Sequence, residues 1–215
     1  MADGPRYGVR YRRRREGRTD YKLRRALVRS GRPRAVVRLS NNYVYVQITD
    51  ATATGDIVRA AASSKELSQH GWKGATGNLP SAYLTGELAA RRAIGKGIKE
   101  AILDIGLKSS TKGSKLYAAL KGLTDAGLDI GHSPEPLPPM ERIRGVHISE
   151  YAKKLSGDQE QYRKRFSAYS KRGLKPEEVT ANFDQVKNAI MKAPVGEQEK
   201  ESRSPRRIEE TTTTA

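Results

Sequence analysis

The chain of 215 residues contains no cysteine, which excludes a disulfide framework and every thiolate metal site. Its three histidines, His70, His132 and His147, are isolated and show no metal-ligand spacing, so neither a metal nor another cofactor is expected. Two Phe and one Trp in a sequence that is 36% hydrophobic leave little material for a large core. Part of the chain is therefore expected to lie on a partner rather than fold alone. No run approaches the roughly 18 apolar residues of a membrane span, and the Arg-rich start lacks the apolar stretch of a secretory signal. The expectation is a soluble, intracellular protein.

Acidic residues are scarce where basic ones are dense. The formal charge is +17, and the first 38 residues carry fourteen Lys and Arg against three acids, so most of the excess comes from less than a fifth of the length. The densest run, Tyr11-Arg12-Arg13-Arg14-Arg15, sits among Tyr7, Tyr11 and Tyr21. A guanidinium set against a phosphate releases condensed counterions, and interleaved aromatic rings can stack on unpaired bases. Arg also grips phosphate bidentately and stacks on planar groups, which Lys does not. A solvated charge run or a nuclear-localisation-like cluster would have the same composition. A membrane-surface segment would need an apolar face, which residues 1–25 lack. Charge patterning thus favours nucleic acid.

Four segments follow from punctuation and composition: a basic arm at 1–33, a core at 34–132, an extension at 133–195 and a disordered tail at 196–215. Arg32-Pro33 closes the arm, because the residue before Pro is pushed toward extended backbone. Two alternating runs, 34–40 and 43–49, flank Asn41-Asn42 and read as a hairpin whose turn residues both take positive φ. The register then pairs Ser40 with Tyr43, Arg38 with Tyr45 and Val36 with Gln47. Ala35, Val37, Leu39, Val44, Val46 and Ile48 share the other face, which is wholly apolar and must be the core side. Arg34, Arg38, Ser40, Tyr43, Tyr45 and Gln47 are left on the outer face, where they are either an ordinary wet sheet surface or a continuation of the basic arm.

A third strand is expected at Asp56–Ser63, a helix at 80–98, a buried strand at 101–107 and a helix from Ser114 that stops at Gly127. Three strands followed by helix, strand and helix predict an α/β fold, a mixed sheet with helices packed on it, the last strand lying parallel through a crossover. Four prolines within 133–139 end the core. The extension reads as a short helix near 149–155, a basic patch over 163–175, and a helix at 176–192 whose stripe of Val179, Phe183, Val186 and Ile190 must dock on something.

Candidate chemistry is thin. The Gly-rich loop Gly71-Trp-Lys-Gly-Ala-Thr-Gly-Asn78 fits neither a P-loop nor a dinucleotide fingerprint, and reads best as a turn holding Trp72 on the core. The segment from Lys108 through Lys112 to Lys115 places small hydroxyls, Gly and Lys before a helix, where backbone N–H groups suit a phosphate. Asp50, Asp56, Glu87 and Asp104 could converge as a two-metal nuclease site, but each has a simpler partner in a turn or a nearby base. No triad order or activated thiol is available, and no enzymatic activity is expected.

In order along the chain, Gly4-Pro-Arg-Tyr7, Arg12-Arg-Arg-Arg-Glu-Gly-Arg-Thr-Asp-Tyr21, Ser30-Gly-Arg-Pro-Arg34, Ser40-Asn41, Gly77-Asn-Leu-Pro-Ser-Ala-Tyr-Leu-Thr-Gly86, Ala101-Ile-Leu-Asp-Ile-Gly-Leu107, Gly113-Ser-Lys115 and Asp125-Ala-Gly-Leu-Asp-Ile130 resemble the archaeal and eukaryotic branch of the universal large-subunit ribosomal protein eighteen family. The resemblance spans roughly residues 4–190 and implies a ribonuclease-H-like α/β motif without its active site. It implies a structural, cytoplasmic, ribosome-bound protein that holds 5S rRNA against the large-subunit rRNA in the central protuberance, among neighbouring ribosomal proteins. The competing readings are a nuclease-like processing enzyme on the same fold and a free RNA chaperone.

By similarity, positions 12–25 and 32–47 would touch RNA. Arg12, Arg13, Arg14, Arg15, Arg18, Lys22, Arg24 and Arg25 would neutralise phosphates, while Tyr11, Tyr21, Tyr43 and Tyr45 stack on bases or riboses. Asn41, Asn42 and Gln47 would reach base edges or 2′-OH groups, beside Arg32, Arg34, Arg38 and Ser40. Lys108, Lys112 and Lys115, and separately Arg163, Lys164 and Arg165, are further RNA-binding candidates. The arm is expected to stay disordered until RNA supplies counter-charge.

Overall fold

A computed structural model describes residue 4 and residues 7–193, so the tail at 196–215 lies outside the described residues. Its centre is a four-stranded mixed sheet. Strands β1 (Arg34–Leu39), β2 (Val44–Ala51) and β3 (Asp56–Ser63) form an antiparallel meander, and β4 (Ile102–Asp104) joins β1 on its other side in parallel, giving the order β3-β2-β1-β4. The hairpin register is the expected one, with Arg38 opposite Tyr45 and Val36 opposite Gln47. Ala35, Val37, Val44, Val46 and Ile48 are all buried on one face, as alternation requires.

The turn itself differs from the expectation. Among the described residues none but glycine has positive φ, so Asn41 and Asn42 do not form the expected turn. Ser40 is the reason. Its N–H donates to the Tyr43 carbonyl (2.9 Å), while its Oγ accepts the Tyr43 N–H (2.9 Å) in place of its own carbonyl. A side-chain oxygen closing the turn removes the need for left-handed backbone.

Helix α3 (Leu79–Ile94) crosses the buried face of the sheet. It starts at Asn78 with a reciprocal cap: Asn78 Oδ1 accepts the Ser81 N–H (3.0 Å) and Ser81 Oγ accepts the Asn78 N–H (3.2 Å). It stops at Ile94 rather than at 98, because Gly95 and Gly97, the latter at φ +80°, end it. Helix α4 (Lys115–Asp125) packs across α3 so closely that the backbones touch. A Cβ on Gly86 would lie 2.2 Å from the Ala119 carbonyl oxygen, and one on Gly122 would lie 2.1 Å from that of Tyr83. Neither carbonyl can rotate away without breaking its helix. Gly122→Val is therefore expected to cost about 3 kcal/mol or more and to lower the thermal midpoint by roughly 6–12 °C. Gly131→Ala, whose Cβ meets open space, serves as the control, and a Gly122→Val midpoint matching that control would refute the close-packing argument.

The extension is not separate from the core. Helices α5 (Met140–Arg144), α6 (Val146–Leu155), α7 (Gln159–Lys171) and α8 (Val179–Lys192) follow the proline segment, and of these α5 and α7 are not among the helices expected from the sequence. Val179, Phe183, Val186 and Ile190 are at most 1% exposed and join the same hydrophobic cluster as the sheet and α3. The stripe's docking partner is thus this chain, with the Phe183 and Tyr83 rings 5.7 Å apart. The Gly-rich loop is clamped in the same joint. Trp72 is buried with its Nε1 donating to the Ala75 carbonyl (3.1 Å), Asn182 of α8 exchanges hydrogen bonds with Gly71 and Lys73, and Arg172 donates to the Gly74 carbonyl. Gly74 and Gly77 serve packing, since a Cβ at Gly74 would enter the Trp72 ring and one at Gly77 would stand 3.0 Å from the Asn41 carbonyl oxygen, whereas Gly71 supplies a positive φ of +88°.

Candidate nucleic-acid interface

Two helices lie in the arm, where its composition predicts disorder in the absence of RNA. Helix α1 is Arg12–Arg15, and α2 is Tyr21–Arg29. Asp20 nucleates α2, its Oδ1 accepting the N–H groups of Lys22 (2.9 Å) and Leu23 (3.2 Å). An Asp ahead of Leu23 and Leu27 at helical spacing was the available signal for this helix, masked by the density of charge. Arg24 ties α2 to the strands through Asp56 (2.9 Å).

The arm and the outer sheet face enclose a cleft of about 450 Å³. Arg13, Arg18, Leu23, Arg24 and Leu27 line it from the arm; Val36, Arg38, Gln47, Thr49 and Val58 line it from the sheet; Gly106, Leu107 and Lys108 close one end. The apolar members Leu23, Leu27 and Val36, and Gly106 with Leu107, were absent from the candidate set, because only the packing of α2 over the sheet brings them together.

Arg12, Arg13, Arg14, Arg15, Arg18, Lys22 and Arg25 are all exposed, and among the described residues their side-chain anchors are light: Arg12 and Arg18 reach Glu16 (3.7 and 3.2 Å), and Arg13 Nε donates to Thr19 (2.8 Å). Tyr11 is 72% exposed, and its ring stands 5.0 Å from that of Tyr21. At the hairpin tip Ser40, Asn41 and Asn42 are exposed, although the Asn42 carbonyl is taken by Thr76 Oγ1 (2.7 Å). The Tyr43 and Tyr45 rings lie 6.4 Å apart on the outer face, with Tyr45 more open, and Gln47 is exposed beside them.

Arg34 also lines the cleft but is the most enclosed of the candidates. It is 3% exposed, with Nη1 donating to Asp104 Oδ2 (2.9 Å) and Nη2 2.6 Å from Asp56 Oδ2 at an angle that makes no hydrogen bond. Carboxylates from β3 and β4 enclose it from two sides, which no ligand can match without unpairing them. Arg38 shares Asp104 through Nη2 (3.0 Å), and Arg32 meets Glu100 at the surface (3.4 Å). Of the three lysines before α4, Lys108 joins the cleft, Lys112 pairs with Glu135 (3.1 Å) and Lys115 is half-buried. Arg163, Lys164 and Arg165 are exposed on α7 and do not line the cleft. Arg163 instead borders a shallow depression with Tyr162 and Glu177. There burial and the hydrogen bond to Glu177 push the Tyr162 hydroxyl up to about 12.

The four carboxylates do not converge. Asp50 pairs with Arg59 (2.7 Å), Asp56 and Asp104 are held by arginines, and Glu87, on α3, is 2% exposed. Burial pushes the Glu87 carboxyl above the usual range, with Lys187 and Arg91 acting against it. Next to it Tyr83 donates to Asp125 (2.8 Å), and burial followed by that bond raises the Tyr83 hydroxyl as well. Among the described residues no group of three or more His, Asp or Glu stands close enough to hold a metal ion, and no helix is long and apolar enough to cross a membrane.

A cationic arm folded over an open sheet face, with guanidinium groups and Gln47 lining one cleft and the Tyr11 and Tyr45 rings exposed elsewhere on the arm and the outer sheet face, has the features of a polyanion-binding α/β protein. Residues 5–98 and 95–133 match the family described as ribosomal large subunit proteins 60S L5 and 50S L18. The chain is 50% identical over 190 residues to large ribosomal subunit protein uL18 of Methanothermobacter thermautotrophicus, covering 88% of this chain and 98% of that one. It is 51% identical to the uL18 of Aeropyrum pernix (90% and 91% covered) and 52% identical to that of Korarchaeum cryptofilum (88% and 97%). The chain belongs to this family, whose members are structural proteins of the ribosome and not enzymes.

Proposed function

We propose that this ribosomal protein binds 5S rRNA and helps attach it to the large-subunit rRNA in the central protuberance, beside neighbouring ribosomal proteins. One observation carries the reading: Arg13, Arg18 and Arg24 of the arm and Arg38 and Gln47 of the sheet line one cleft, so cationic and planar polar groups meet in one place. Arg12 to Arg15, Arg18, Lys22 and Arg25 act as phosphate ligands, and Lys108 extends that set at the far end of the cleft. Tyr11, Tyr21, Tyr43 and Tyr45 supply stacking surfaces, and Asn41, Asn42 and Gln47 supply polar edges for bases and 2′-OH groups. Arg24 and Arg32, held by Asp56 and Glu100, position the arm and its junction with the sheet. The exposed triplet Arg163, Lys164 and Arg165 contributes a second, separate contact with rRNA.

A shift assay with the full chain, comparing 5S rRNA with tRNA across a salt series, tests this. The expected result is preferential binding of 5S rRNA that persists at the upper salt concentrations. Equal affinity for the two RNAs throughout would overturn the proposal and leave sequence-blind RNA binding, as in a chaperone.

A further inference from the structure

Arg38 differs from the arginines of the arm. Its Nη1 donates to the carbonyls of Val37 (2.9 Å) and Asp104 (2.8 Å), and its Nη2 to Asp104 Oδ1 (3.0 Å). Three of its five N–H groups, both on Nη1 among them, are therefore spent on the protein, which closes the end-on edge of the guanidinium to a phosphate, and its charge is balanced by a carboxylate whose side chain is 6% exposed. Yet the Arg38 side chain is 46% exposed and lines the cleft.

The backbone of Gly106 fixes how the group lies. A Cβ built there would stand 2.9 Å from Arg38 Cζ, 3.1 Å from Nη1 and 3.2 Å from Nη2. With the central carbon nearest and the two nitrogens almost equally far, that point lies over the plane of the guanidinium and not beyond its edge. Gly106, at φ +63°, thus lets the backbone floor one face of the group, and the opposite face is turned toward the cleft. Across the sheet Arg38 stands opposite Tyr45, another exposed planar side chain.

We propose that Arg38 is a stacking platform for one unpaired base of the bound RNA, held flat by Asp104 and Gly106, and not a phosphate ligand. A guanidinium plane stacks on a nucleobase whatever the base, and prior pairing with Asp104 removes the entropic cost of orienting it. Arg13, Arg18 and Lys108 on the rim of the same cleft would hold the phosphates flanking that base. This rests on the RNA-binding reading above.

The test is the affinity of the full-length wild type, Arg38→Lys and Arg38→Tyr for 5S rRNA over a salt series. Arg38→Lys keeps the charge and loses the plane, so its affinity is expected to fall roughly tenfold while the slope of log K against log salt stays that of the wild type. Arg38→Tyr restores a plane without charge and is expected to bind more tightly than Arg38→Lys. Wild-type affinity in Arg38→Lys would overturn the platform, and so would a slope shallower by about 0.7–0.9 in Arg38→Tyr, the signature of one lost phosphate contact. Both comparisons start from a wild type that prefers 5S rRNA. Loss of that preference in the wild type overturns the functional reading instead, and the platform with it.

Discussion

Arg34→Met is expected to destabilise the protein by about 3–5 kcal/mol, seen as a fall of roughly 6–20 °C in thermal midpoint. The size of the effect comes from what the substitution leaves behind. Arg34 Nη1 holds Asp104, whose side chain is 6% exposed, and removing the guanidinium strands that carboxylate with only Arg38 and the Gly106 N–H (2.9 Å) as partners. Asp56 is better placed, since Arg24 reaches it from α2 and its side chain is 26% exposed. The double variant Arg34→Met, Asp104→Leu should therefore be more stable than Arg34→Met alone, because the buried carboxylate oxygen that lost its partner is removed with it. If Arg34→Met melted with the wild type, Arg34 would be an ordinary surface arginine and its structural role would fail.

Converting Arg12, Arg13, Arg14 and Arg15 together to Gln is expected to act on RNA affinity and hardly on stability. All four are exposed, and their contacts inside the protein are limited to Glu16 and Thr19. If each arginine neutralises one phosphate, the slope of log K against log salt becomes shallower by about 2.8–3.6. Between about 50 and 200 mM salt the wild type then loses roughly 50–150 times more affinity than the variant does. Titrations of 5S rRNA at several salt concentrations measure this directly, with a melting curve as the control for folding. An unchanged slope would mean that the densest basic run in the chain is a solvated surface and that the arm's role lies elsewhere.

The cluster Tyr11, Arg12 to Arg15 and Tyr21 was legible because charge density and exposure are both properties of composition, and all of it stays open apart from the half-buried Tyr21. The hairpin was legible because alternation admits one register once the turn is placed. The turn's mechanism was less so: Asn-Asn invites left-handed backbone, and a single hydroxyl at Ser40 made it unnecessary. Apolar spacing alone carries helix α3 too far, through Ile98, whereas the backbone freedom of Gly95 and Gly97 decides where the helix stops. Helix α2 is hard to see in the sequence because its capping Asp20 looks like an incidental acid in a basic run.

What the sequence by itself determined is local or periodic: the arm's charge, the strand faces, the cap at Asn78, and the docking stripe of α8. Family resemblance lies in the same ordered segments. Tertiary structure alone decided which arginines are enclosed and which stay open. Arg34 and Arg38 alternate with apolar residues on the same strand and look equivalent in sequence, yet Asp104, 70 and 66 positions away, reaches both only because β4 lies beside β1. Burial then turned one into a structural ion pair and left the other flat and open in the cleft, since the fate of a charge depends on its solvent and its partners and not on its place in the chain.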